Sequence, residues 1–455
     1  MAANMQRSDD VPVTLAAVGV DGPLAPLVPP RDHAAVLARA GEAGSKRGKR
    51  GFLGGQMDDE LLFQGMKVLD VGSWIAAPTA ATMLADRGAD VIKIEQPGVG
   101  DAYRNYYQAV VSPESAHNYT WALDARNKRS LALNLKHAEG KAILLQMVRE
   151  CDIYVTNQPL PMRRALGLEY EDLCELNPRM IYASLTGYGE QGPERDRESF
   201  DLVAYWSRSG LMNQMRHKGT QPFQAMAGMG DHPTGVALYA SIVTALLRRE
   251  RTGLGGKVHT SLLANGLWSA SCFAQAAWAP DADFTTIPGQ RLTTALYLTR
   301  DQRWLQFSMV RTEQEFDALL MSIERLDWLA DDRFDTPENR LAHAELLTGM
   351  LREVIVQRTA AEWLEVMRAN GVPVALVAEF QDLPNDPQVL ANDMAMTAVE
   401  ELGMARIIRD PVNVDGLGRV GPKKAPALGE HSDEILAELG FGADDITRLR
   451  QAGVI

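Results

Sequence analysis

Residues 228–235 read Gly-Met-Gly-Asp-His-Pro-Thr-Gly, setting one carboxylate, Asp231, between two glycines and a long apolar run from Val236 to Gly253. An aspartate at the start of a helix has two uses. It can cap orphan backbone N–H groups, or it can serve as a nucleophile held at the helix mouth. The glycines permit close backbone approach. The helix start offers N–H groups and a positive dipole end to a developing oxyanion. His232, next along, invites a general-base role, but neighbouring side chains seldom face one point. A hydrogen-bonded structural histidine is the competing reading.

The remaining reactive residues narrow the chemistry. Cys151, Cys174 and Cys272 are odd in number and lack metal-ligand spacing, so no metal site is expected and a reducing, cytoplasmic compartment is. With 46 basic and 59 acidic residues the net charge is −13, which argues against a nucleic-acid partner. A locally basic pocket for a small anion remains compatible with that balance. No apolar run of about 18 residues offers a membrane span. The opening Met-Ala-Ala-Asn-Met-Gln-Arg-Ser-Asp-Asp carries acids where a signal peptide carries bases.

The elements that must position Asp231 follow from periodicity. At 455 residues, two or more domains are expected. Residues 1–65 are rich in Ala, Gly and Pro, include a basic glycine-spaced stretch at 44–55, and read as a flexible extension. From Lys67 short aliphatic runs at 67–71, 91–95, 130–135, 153–157 and 181–187 alternate with helical stretches at 77–89 and 137–151. That alternation predicts an α/β fold with a parallel sheet covered by helices on both faces. No Gly-x-Gly-x-x-Gly follows the first strand, so a dinucleotide fingerprint is absent. After the helix at 233–250, another strand is read at 257–263, then a less regular region to about 290. A hairpin at 295–309 turns at Asp301-Gln302, helices follow to about 370, and a strand covers 372–377, together a smaller α+β block. The tail at 429–455 reads as two short helices.

In this order the segments at 65–104, 127–157, 176–193, 230–258, 301–308 and 425–441 resemble the class III CoA-transferases, the formyl-CoA and carnitine CoA-transferase family. The resemblance runs over roughly 66–455. It implies a Rossmann-like large domain at 66–263, a small α+β domain at 287–388, and a return to the large domain at 389–455. It also implies an interlocked homodimer. The implied function moves CoA from an acyl-CoA donor to an organic carboxylic acid, with Asp231 aligned to the family's nucleophilic aspartate. The CoA thioester is a substrate and no permanently bound cofactor is implied.

By the same resemblance Ser73, Trp74, Ile75 and Ala76 line the thioester region, Leu133 lies near the adenine, and Lys136 and Asn157 face the nucleotide and pantetheine. Gln96 and Gln158 stand where relatives carry an arginine and an aromatic residue, and Arg163 or Arg164 is left to contact the phosphates. Phe200, Asp201 and Tyr106 belong to the substrate pocket. The 2-methylacyl-CoA racemases of this family use a histidine where this chain has Phe200, which takes the second base from a racemase or isomerase reading. A non-catalytic CoA-binding protein is the rival from another class. The glycine-rich flap of the oxalate enzymes is missing, and Trp74, Ile75, Phe200 and Tyr106 point to an apolar acid.

Overall fold

Five short aliphatic runs and a sixth, more polar edge strand pair side by side as a wholly parallel sheet: β1 (Lys67–Asp70), β2 (Asp90–Glu95), β3 (Arg129–Ala132), β4 (Ile153–Thr156), β5 (Ile181–Thr186) and β6 (Gly256–Ser261). The computed structural model describes residues 61–455 apart from 217, 218, 285–291, 309 and 311. The basic stretch at 44–55 lies outside the described residues.

The strand order is β3-β2-β1-β4-β5-β6, with Val68 of β1 opposite Val91 on one side and Ile153 on the other. The chain therefore winds outward in both directions from β1 and β4. Between the carboxyl ends of those two strands a crevice opens, the usual ligand position in such sheets. Residues 72–76 and 157–158 form its rim.

Both faces are covered, which is why the strands read as near-continuous apolar runs. On one face α1 (Ala76–Ala85) and α5 (Asp231–Thr252) pack over Val68, Val91, Ile153 and Ile181. The alanines of α1 are fully enclosed and let the two helices approach closely. On the other face α3 (Ala138–Val148) joins α7 (Ser432–Glu438) and α8 (Ala443–Gln451) over Leu69, Ile92 and Tyr182. The tail is stitched to β3 by the His431 N–H donating to Ser130 O at 3.0 Å and the Ala132 N–H donating to Ser432 Oγ at 3.1 Å. Between these lie α2 (Tyr119–Ala125), α4 (Leu160–Leu166) and α6 (Leu262–Ala276).

A separate core gathers around the antiparallel strands β7 (Leu296–Leu298), β8 (Trp304–Phe307) and β9 (Val374–Leu376). The predicted hairpin turn is present, with Gln302 at φ 61°. A further hairpin, β10 (Ala395–Thr397) with β11 (Arg406–Ile408), packs Leu402 and Ile407 on Ala122 of α2.

Two sequence expectations are corrected. The region read as irregular from 264 is mostly helical through Ala276, capped by Ser261 Oγ accepting from the Ala264 N–H at 3.1 Å, but it is broken at Ser271, which sits at φ 53°; its exposed Trp268 and Phe273 had masked the helical period. The extension does not reach 65, because Phe63 is buried in the first core against Tyr239 and its N–H donates to Arg87 O at 2.9 Å. Among the described residues no helix is long and apolar enough to cross a membrane.

Candidate active site

The rim of the crevice is tied down from both sides. Asn157, at the end of β4, accepts from the Ser73 N–H at 2.8 Å and returns a bond from Nδ2 to Ser73 O at 2.8 Å. Trp74 is then forced to φ 62°, a region costly for a side-chain-bearing residue and frequent at functional sites. Asp101 holds it there, accepting from the Trp74 N–H at 3.1 Å and the Tyr103 N–H at 3.0 Å. Beneath, Lys93 Nζ lies 2.8 Å from Asp101 Oδ2 and donates to Gly72 O at 2.7 Å. Lys128 Nζ donates to Asp70, Pro78 O and Asp124 O at 2.8–2.9 Å. These buried charges are paired and hydrogen-bonded, the condition under which burial of charge is tolerated.

Asp231 is the first residue of α5 and is half-buried. Gly230, not Asp231, is the N-cap, and no side-chain cap bond forms. Among the described residues the Asp231 carboxylate has no hydrogen-bond partner, so the structure sets the capping use aside. Pro233 fits because the third helical position has no intrahelical acceptor to lose. The preceding loop needs its glycines: Gly228 sits at φ +88°, and a Cβ on Gly230 would lie 2.5 Å from the Tyr205 ring. Asp201 organises this loop, accepting from the Gly228 and Gly230 N–H groups at 2.8 and 3.2 Å. A π-helical turn, Leu202–Ser207, begins immediately after it. Burial, reinforced by the negative charges of Asp201 and Asp124 and opposed by His232, pushes the Asp231 carboxyl from 3.8 to about 7.

Three residues in this neighbourhood escaped sequence reasoning. Asp124 of α2 is only 3% exposed and lies 108 residues from His232 in the chain, yet its Oδ1 is 3.1 Å from His232 Nε2. Tyr103 OH donates to the other Asp124 oxygen at 3.0 Å, and Thr79 Oγ1 reaches Oδ1 at 3.1 Å. A lone acid in an otherwise small and apolar helix was the available signal. The second ring nitrogen of His232 lies 3.3 Å from Gly228 O.

The expected apolar wall does assemble. The Trp74 ring meets Phe200 edge-on at 5.4 Å and Tyr106 at 6.0 Å, while Tyr106 stacks on Tyr103 at 5.6 Å. Beside it a cleft of about 940 Å³ is lined by Ile75, Tyr103, Tyr106, Met229, Asp124 and His232, among others.

The expected CoA contacts divide. Ile75 lines the cleft, and Gln96 and Lys136 are exposed beyond the carboxyl ends of β2 and β3. Gln158 is half-buried, with Oε1 enclosed and unpartnered among the described residues. Leu133 is corrected: at 1% exposure its side chain belongs to the core under α3 and offers no surface to an adenine. The Ala76 side chain is likewise enclosed by the helix packing. Arg163 is closed off as a phosphate contact, being buried and donating to Gln158 O, Ser184 Oγ and Leu185 O at 2.6–3.0 Å. Arg164 is exposed and pairs with Asp196 at 2.7 Å.

Comparison with known proteins agrees with this architecture. The family model described as CoA-transferase family III matches residues 63–432. The chain is 33% identical over 398 residues to cinnamoyl-CoA:phenyllactate CoA-transferase of Clostridium sporogenes, covering 86% of this chain and 96% of that protein. It is 31% identical over 399 residues to (R)-2-hydroxy-4-methylpentanoate CoA-transferase of Clostridioides difficile, covering 87% and 100%. Among solved structures, a CAIB/BAIF family protein from Brucella suis superposes with a TM-score of 0.74 at 26% identity, covering 83% of this chain and 98% of that one. The parallel sheet, the matched span and these relatives together place the chain in CoA-transferase family III, as a CoA-transferase.

Proposed function

We propose that this protein exchanges CoA between an acyl-CoA donor and an organic carboxylic acid through covalent intermediates on Asp231. The observation that carries this is a half-buried carboxylate at a helix mouth, free of capping bonds and set beside an aromatic-walled cleft. Ionised Asp231 attacks the thioester carbonyl, forming an aspartyl–acyl anhydride as the C–S bond breaks and CoA thiolate leaves. The thiolate then attacks the aspartyl carbonyl, releasing the first acid and leaving an aspartyl–CoA thioester. The second acid reverses the sequence. One hard exchange is thus divided into easier ones. A carboxyl held near about 7 is a better nucleophile when ionised than an ordinary aspartate, and a fraction sufficient for reaction is ionised at neutral pH.

The strand order β3-β2-β1-β4-β5-β6 is the Rossmann order and supports nucleotide binding at the crevice between residues 72–76 and 157–158. On this reading Trp74, Ile75, Gln96, Lys136, Asn157, Gln158 and Arg164 form the CoA side, and Phe200, Asp201 and Tyr106 shape the acyl side. Asp201 acts through the glycine loop. The ring wall favours an apolar or aromatic acid, in keeping with the phenyllactate and branched hydroxy-acid names of the relatives. We further propose a cytoplasmic, interlocked homodimer needing no resident cofactor. Its large domain is built from 66–263 and 389–455, with a small domain at 287–388; the packing of 395–408 on α2 and of 431–451 on β3 supports that return.

The test is Asp231→Asn with a panel of acyl-CoA donors and carboxylate acceptors read by mass spectrometry. Transfer is expected to fall by several orders of magnitude while CoA binding stays within a few-fold. Wild type treated with acyl-CoA and hydroxylamine should carry a hydroxamate on the Asp231 peptide. Near-normal transfer by the Asn variant removes the nucleophile from the mechanism.

A further inference from the structure

His232 has an acceptor against each ring nitrogen. Gly228 O, at 3.3 Å from Nδ1, can only accept. Asp124 Oδ1, at 3.1 Å from Nε2, belongs to a carboxylate whose Oδ2 accepts from Tyr103 OH at 3.0 Å, an arrangement suited to the ionised acid, while Thr79 Oγ1 shares its one proton between Ile75 O at 2.8 Å and Oδ1 at 3.1 Å. An acceptor against each ring nitrogen suits a doubly protonated ring, which would have no lone pair left for base chemistry. Its edge is 39% exposed in the wall of the cleft.

The groups facing this pair are almost all anionic or neutral. Asp124 approaches from α2, Asp201 from the turn before 202, and Tyr103 and Tyr106 from the turn at 102–108. Other cations near the cleft are committed elsewhere: Lys128 to Asp70 and two carbonyls, Arg126 to Asp86, while Arg409 donates to Asn392 O. Asp231 thus feels the negative charges of Asp201 and Asp124, with His232 as the cation that opposes them.

We propose that His232, fixed as an imidazolium by Asp124 and the Gly228 carbonyl, is a positioning residue that keeps the Asp231 carboxylate ionised in this acidic and partly dehydrated site. Its functional consequence rests on Asp231 acting as the nucleophile. The charge coupling itself does not. Asp201 and Asp124 each raise the proton affinity of Asp231, so without a fixed cation this group of carboxylates would hold on to a proton. The directions agree: Asp124 and the Gly228 carbonyl raise the His232 pKa against its burial, and His232 lowers that of Asp231.

The experiment compares thermal unfolding from pH 5 to pH 10 for wild type and Asp231→Asn, and again for His232→Gln with and without Asp231→Asn. The difference within each pair reports the pH at which Asp231 ionises in the folded protein. It needs no substrate. Removing the cation is expected to move that midpoint upward by about one pH unit or more, a tenfold change in proton affinity. His232→Lys, which keeps the charge, should return it toward wild type and serves if the Gln variant folds poorly. An unmoved midpoint in His232→Gln, or a raised one in His232→Lys, overturns the proposal. Acylation of Asp231 by 3-phenylpropionyl-CoA and by acetyl-CoA, followed by mass over the same pH range, tests the nucleophile separately. A shifted midpoint without any adduct would retain the coupling and reject the nucleophile, whereas an adduct with an unshifted midpoint would do the reverse.

Discussion

Replacing Asp231 with Asn should make the folded protein more stable, by an amount that grows from about pH 4 and is complete above about pH 7. Burial lifts this carboxyl from 3.8 to about 7, so folding is opposed wherever the unfolded chain ionises it and the native state resists. The sign follows from the raised folded pKa. Below about pH 4 the group is protonated in both states and contributes no penalty. Between about 4 and 7 the penalty grows, and above 7 it is complete. About three pH units at 1.36 kcal/mol each set an upper bound of about 4 kcal/mol. Asp231 is only half-buried, and a charge at a helix start is favoured by roughly 0.5 kcal/mol, so about 2 kcal/mol remains. For domains of 150–250 residues each kcal/mol moves Tm by about 2–4 °C, so a rise of roughly 4 °C is expected at pH 8.5. At pH 4.5 the rise should be much smaller. Asn retains shape and hydrogen-bonding capacity, which limits packing artefacts. Differential scanning calorimetry at five pH values, with circular dichroism to confirm the fold, measures the effect. A pH-independent change, or a loss of stability at pH 8.5, would mean that the carboxylate makes a stabilising contact and would refute the desolvation argument.

Lys128→Met should cost about 3–5 kcal/mol in chemical denaturation, because it removes the closest counter-ion of the fully buried Asp70, leaving it the Gly72 N–H and a more distant Lys93 at 3.8 Å; a loss below 1 kcal/mol would show that solvent replaces it. A chain beginning at Leu61 should fold and keep its turnover, whereas one beginning at Gly65 loses the buried Phe63 and should unfold several degrees lower in a thermal scan. Trp74→Gly relieves the positive φ but removes ring contacts to Phe200 and Tyr106. The KM for an aromatic acceptor acid should therefore rise about tenfold, with little change for acetate, in steady-state assays.

Much of the architecture was legible along the chain because its signals are local. Short aliphatic runs alternating with helical stretches are what a parallel sheet covered on both faces requires, and β1 through β6 fall where those runs lie. The Gly-Met-Gly-Asp frame likewise marked Asp231 by adjacency alone. Leu133 was misread because a residue next to a strand end can point into the core or outward, and sequence spacing does not say which; the choice left open between Arg163 and Arg164 turned on which face of the helix Leu160–Leu166 is buried. Asp124 was missed because its partner lies 108 residues away, joined only after α2 and α5 pack beside α1. Which residues flank Asp231 along the chain is thus a property of the sequence, but its proton affinity is not. That depends on how much water the fold removes and on which distant charges it brings close, and both exist only once the tertiary structure has formed.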